Sequence, residues 1–256
     1  STFNQLLLLT TARVRSDAAR QHNYLGYINL PSRELVSNTV ITTGDKVKAG
    51  YTALYGKKAE YKALPQDLLL NADRSYTVIY EEQEMSSKKE NGNYATIRNT
   101  SVVHYDPEGE VTDEYLIPLE HTVNQLNPGP FYQSSYRLRG QQFIGINQYA
   151  TVNFIADGHN SYLLLNDKEL NAGNTTGKPV SAMADLKETN AFFCRLSGKE
   201  LIPSKEFMFG KPAAGTAPKL ALFSVSDYDR ANNLLVLLKQ DKEDNRTGVK
   251  VVWLQP

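Results

Sequence analysis

The strongest constraint on this chain is that it repeats itself. Residues 67–81, Asp-Leu-Leu-Leu-Asn-Ala-Asp-Arg-Ser-Tyr-Thr-Val-Ile-Tyr-Glu, align without a gap on residues 153–167, Asn-Phe-Ile-Ala-Asp-Gly-His-Asn-Ser-Tyr-Leu-Leu-Leu-Asn-Asp. Each copy reads as an apolar triplet, a polar turn, Ser-Tyr, a second apolar triplet and an acidic end. A third, looser copy runs from Ala221-Leu-Phe through a turn at Asp227 to Asn232 and on into Asn233-Leu-Leu-Val-Leu-Leu. Asn, Asp and Gly between short apolar runs are hairpin chemistry, because they tolerate positive φ or bond their own backbone. Repetition of one supersecondary unit points to a repeat architecture.

A second pattern recurs after the hairpins: an apolar strand, a tight polar turn, then a more polar strand entered through glutamate. The copies are Tyr24–Leu30 with Glu34–Ile41, Ser101–Asp106 with Glu110–Ile117, and Ala191–Leu196 with Glu200–Phe209. A full unit therefore has four strands. Its first two are nearly continuous apolar runs, as expected of strands covered on both faces. The fourth mixes Glu, Asp, Ser and Lys with apolar residues and in one copy contains Pro203, which reads as an outer edge. Apolar inside and polar outside, with turns between, is the organisation of a propeller blade.

The turn Tyr105-Asp106-Pro107-Glu108-Gly109, in which a strand ending in Tyr-Asp leads into the outer strand, resembles the secreted and surface β-propeller proteins of Gram-negative bacteria. The resemblance implies a fold class and an extracytoplasmic setting, periplasmic or cell-surface, and carries no activity with it. The expectation is an all-β, single-domain chain of β-propeller-like, four-stranded antiparallel blades, with units at 4–42, 64–120, 151–210 and 218–256 and insertions at 43–63 and 121–150. The outer units have three strands each. Either the two ends share blades and close a small ring, or the chain is an incomplete ring, a segment of a larger propeller. Units this long exceed the ~40–45 residues of WD40-type blades, so loops or extra strands must fill the insertions.

Composition narrows the function classes. Hydrophobic residues make up 41% and charged residues 22%, with 28 basic against 28 acidic side chains. That is globular composition with material for a core. A balanced charge without a basic block argues against a nucleic-acid partner, and no apolar run reaches the ~20 residues of a membrane-spanning helix. The start, Ser1-Thr-Phe-Asn, lacks the basic and apolar regions of a signal peptide. Cys194, the single cysteine, sits in the apolar run Ala191-Phe-Phe-Cys-Arg-Leu and reads as a small buried hydrophobe.

Catalytic motifs are missing. His22, His104, His121 and His159 have no metal-ligand partner at a local spacing, and the acidic turns Asp227–Asp229 and Asp241–Asn245 match no calcium loop. No cofactor is expected. The preferred reading is a non-catalytic binding or scaffold protein recognising a protein, peptide or glycan through loops. Phe131, Tyr132, Tyr136, Arg137 and Arg139, in a Pro/Gly-rich segment between units, are the candidate binding residues, since aromatic and arginine side chains on scaffolded loops suit recognition. The same residues also read as loop anchors. One alternative is a polysaccharide hydrolase or lyase using Asp73, Asp157, Asp229 and His159, which lie at or near equivalent turns around a central channel. Another is a structural subunit of an envelope or surface assembly, completed by a partner chain. Tyr76 and Tyr162, at matching repeat positions, are expected to pack between units. Asn99, Asn174 and Asn245 head glycosylation sequons.

Overall fold

The computed structural model describes residues 5–14, 17–56, 60–71, 73–88, 92–124, 129–132, 145–156, 160–173, 180–197, 200–213, 215–243 and 246–256. Among them, fourteen strands form four antiparallel sheets, each made from strands consecutive in the chain. The first sheet holds β1 (Gln5–Val14), β2 (Asp17–Asn29) and β3 (Glu34–Ile41). The second comes after a helix, α1 (Asp45–Tyr55), and holds β4 (Ala63–Leu70), β5 (Tyr76–Lys88), β6 (Gly92–Tyr105) and β7 (Val111–Asn124). The third holds β8 (Asn153–Ala156), β9 (Ser161–Lys168), β10 (Thr189–Leu196) and β11 (Glu206–Phe207). The fourth holds β12 (Leu220–Asp229), β13 (Leu234–Glu243) and β14 (Arg246–Leu254).

Period-2 alternation explains how these sheets stack. In β5, Tyr76, Val78 and Tyr80 join Leu7, Leu9, Leu25 and Ile41 of the first sheet, while Ile79, one residue out of phase, faces the third. In β9, Leu163 and Leu165 face the second sheet and Tyr162 and Leu164 the fourth. Both central hairpins are thus apolar on two sides, which is why each reads as an unbroken hydrophobic run rather than an alternating one. Three apolar layers result, joining the first sheet to the second, the second to the third and the third to the fourth. Among the described residues no buried cluster joins the first sheet to the fourth.

Three expectations need correction. The segment 43–63 supplies a helix and not an extra strand or a plain loop, because Val47, Tyr51 and Leu54 fall at helical spacing and pack on Leu116 of β7. The segment 121–150 is not wholly an insertion, since β7 continues to Asn124.

The fourth strand is not uniformly the exposed edge. In β7, residues 114–119 are all buried, because neighbouring segments cover its outer side: Leu116 N donates to Leu201 O, Thr122 N to Met183 O and Met183 N to Glu120 O. Such cover satisfies the open hydrogen-bonding groups of an edge. The strand expected over Glu200–Phe209 shrinks to the two residues of β11, as residues 200–205, with Pro203 among them, turn toward the second sheet.

Candidate functional site

The carboxylates singled out as catalytic suspects serve their own turns. Asp73 Oδ1 accepts hydrogen bonds from Ser75 N and Ser75 Oγ at 3.0 and 2.7 Å. Asp229 accepts from Ala231 N, Asn232 N and Asn232 Nδ2 at 2.9, 3.2 and 2.6 Å. These bonds stabilise the ionised forms, with Ser75 and Asn232 side chains the main cause, and hold both carboxyls below the usual carboxylate range. Asp73 closes the β4–β5 turn and Asp229 the β12–β13 turn, in the second and fourth sheets, with the third sheet between them. Asp157 and His159 lie outside the described residues. No described group of three His, Cys, Asp or Glu side chains is placed to hold a metal ion.

The candidate recognition loop is described at Phe131 and Tyr132 only; Tyr136, Arg137 and Arg139 lie outside the described residues. Tyr132 is 4% exposed and belongs to the layer between the second and third sheets, so its ring anchors the segment instead of presenting itself to a ligand. Phe131 is half-buried, adopts φ 57°, and its N–H donates to Pro65 O on the edge strand β4.

The most concentrated polar chemistry is buried between the second and third sheets. Asp167, at the acidic end of the second repeat copy, is fully buried and pairs with Lys205 Nζ at 2.6 Å. Lys205 also donates to Pro118 O. The other oxygen of Asp167 accepts from Asn171 Nδ2 and from Lys168 N, both at 2.8 Å. His121, fully buried, has Nδ1 3.3 Å from Ala150 O, and burial is the main cause lowering its pKa. Cys194 is closed off nearby, and burial pushes its thiol up to about 12, so at neutral pH it is a thiol and no nucleophile. Both oxygens of Asp167 and the Lys205 ammonium have protein partners, and the cluster ties two sheets together. His104 is also held neutral by burial and shares a 2.7 Å hydrogen bond with Thr77 Oγ1.

Of the accessible features that remain, two are largely apolar. One is a cleft of about 240 Å³ between the third and fourth sheets, lined chiefly by apolar side chains together with Tyr162 and Arg195. The other is the pair of outward faces at the ends of the stack. Pairing of Leu6 with Ile28, Leu8 with Gly26, Tyr24 with Val40 and Leu35 with Ile28 puts one set of side chains on the side of the first sheet that, among the described residues, faces no other sheet. Leu6, Leu8, Leu35 and Val40 are 42–56% exposed there. On the fourth sheet, Trp253 opposite Val236, Val251 opposite Leu238 and Val249 opposite Gln240 form the corresponding face. Trp253, Val251 and Val249 are 64%, 59% and 56% exposed. Part of that face is covered: Leu220 and Leu222 reach the layer between the second and third sheets, and Gln240 accepts a hydrogen bond from Tyr149 Oη.

No protein-family model, no curated protein and no solved structure matches this chain.

Proposed function

We propose that this chain is a non-catalytic scaffold and binding module of propeller-like construction, which works by seating protein against the outer faces of its first and fourth sheets. The observation that carries this reading is the chemistry of those faces. They bear the Leu, Val and aromatic content of the inner layers, yet Leu8 and Val251 remain 42% and 59% exposed. Contiguous apolar surface of this kind marks an interaction site. Continuity with the three inner layers indicates the occupant: another sheet with an apolar face, and the copy at hand in any preparation is a second molecule of the same chain. The fourth sheet of one molecule laid on the first sheet of the next is a heterologous contact, which closes or propagates according to the rotation between copies.

Sedimentation velocity across a range of concentrations tests this. The expected outcome is concentration-dependent association that Leu8→Asp and Val251→Asp each suppress, with the thermal midpoint of the monomer little changed. A strictly monomeric wild-type chain, or Asp variants that unfold instead of dissociating, would overturn the reading. Catalysis has no comparable support, because the described carboxylate suspects, Asp73 and Asp229, stand apart and serve their own turns.

A further inference from the structure

The fourth sheet does not close fully on the third, and the gap between them has a definite chemistry. Its walls are chiefly Ile155, Leu164, Phe193, Leu235 and Leu254 with Met208; Arg195 beside Tyr162 bounds it on one side, and the segment Gln255-Pro256 also lines it. The Arg195 guanidinium lies 5.7 Å from the centroid of the Tyr162 ring, so one face of the cation is held on an aromatic surface. Among the described residues no carboxylate forms an ion pair with Arg195, and Glu206, opposite Phe193 in the β10–β11 ladder, forms none either. A second cation stands in the same intersheet region: Lys239 Nζ lies 5.2 Å over the ring of Phe209.

We propose that this cleft is a binding site for a small amphiphilic carboxylate, with its apolar tail between the third and fourth sheets and its head on Arg195. A volume of about 240 Å³ suits a short acyl chain or a single apolar side chain and is too small for an oligosaccharide. The lining repeats the argument, since sugar hydroxyls need several convergent donors and acceptors, whereas these walls are mainly aliphatic and aromatic, with Gln255 the one side-chain amide among them. A guanidinium presents two parallel N–H groups that match the two oxygens of a carboxylate. Stacking on Tyr162 limits the freedom that Arg195 would otherwise lose on binding. The site lies on inner faces of the stack and is independent of the outward faces, so either proposal can fail alone.

The test uses the full chain with decanoate and decan-1-ol, which share a tail and differ in charge, titrated by calorimetry below the micellar range. Decanoate is expected to saturate one site per chain, and Arg195→Gln, a change at an exposed side chain, to weaken it by about tenfold or more, the effect of losing a charge-assisted contact. Decan-1-ol should bind the wild-type chain no better than decanoate binds the variant. The proposal is overturned if decanoate shows no saturable binding, if Arg195→Gln binds it as tightly as wild type, or if the alcohol and the carboxylate bind equally.

Discussion

The contact between Lys205 and Asp167 shows how a single residue can matter without any role in chemistry. Both side chains are almost wholly removed from water, at 3% and 0% exposure, so their mutual attraction has to offset a large loss of hydration. Truncating one partner leaves the other charged and buried. Lys205→Met is therefore expected to lower unfolding free energy by ~3–5 kcal/mol, measured by urea denaturation. Lys205→Met with Asp167→Leu should lose much less than the two single changes added together. The histidines give a second expectation at this scale. Burial is the main cause lowering the pKa of both His104 and His121, so below the ordinary histidine value of about 6.5 the unfolded chain binds more protons than the folded one. Stability should be level above that pH and fall as pH drops from about 6.5 toward 5. The double variant His104→Gln/His121→Gln, though less stable, should show a flatter profile over the same window in denaturation midpoints. Asn99 belongs here as well. Its sequon is closed in the folded chain, because the residue is fully buried at a bulge with φ 39°. Its carboxamide accepts from Tyr55 Oη at 2.7 Å and donates to Glu82 at 2.8 Å.

At the scale of elements, the helix α1 is the part least visible in a reading tuned to strands. It has no side-chain cap of its own. Glu114, far along the chain on β7, supplies one, its two carboxylate oxygens accepting from Lys46 N and Val47 N at 2.8 and 3.1 Å. Gly44 leaves room for that carboxylate, since a Cβ there would stand 2.4 Å from Glu114 Oε1. Losing a cap typically costs ~1–2 kcal/mol, so Glu114→Ala should lower stability by about that much and speed hydrogen exchange in the first turn of α1 in particular. The helical spacing of Val47, Tyr51 and Leu54 was available as a sequence signal, but its cap depends on a residue of a different element. The hairpins were legible for the opposite reason: their turn chemistry and apolar triplets are local, and β4–β5, β8–β9 and β12–β13 lie where the Ser-Tyr repeat and its looser third copy place them. The outer strands were not legible, since burial of β7 and the shrinking of β11 depend on Leu201, Met183 and Lys205 approaching from elsewhere in the chain.

At the scale of the molecule, three inner layers carry the hydrophobic stabilisation and two outer faces are left over. Substitutions should divide accordingly. Leu163→Ala, at a fully buried position in the layer between the second and third sheets, is expected to cost ~2–5 kcal/mol. Trp253→Ala, at a side chain 64% exposed, should change monomer stability by no more than about 0.5 kcal/mol in the same chemical denaturation, at concentrations where the chain does not associate. The grouping into four sheets could be read from repeat spacing, but neither the Asp167, Lys205, His121 and Cys194 cluster nor the cleft at Arg195 could, because stacking assembles them from distant stretches of chain. Every ladder is made from strands consecutive in the chain, so duplicating or excising the coding sequence for one sheet leaves the strand ladders of the others whole, while breaking cross-sheet bonds such as Leu116 N to Leu201 O. Such a molecule can lengthen by tandem copying of a segment that encodes one sheet.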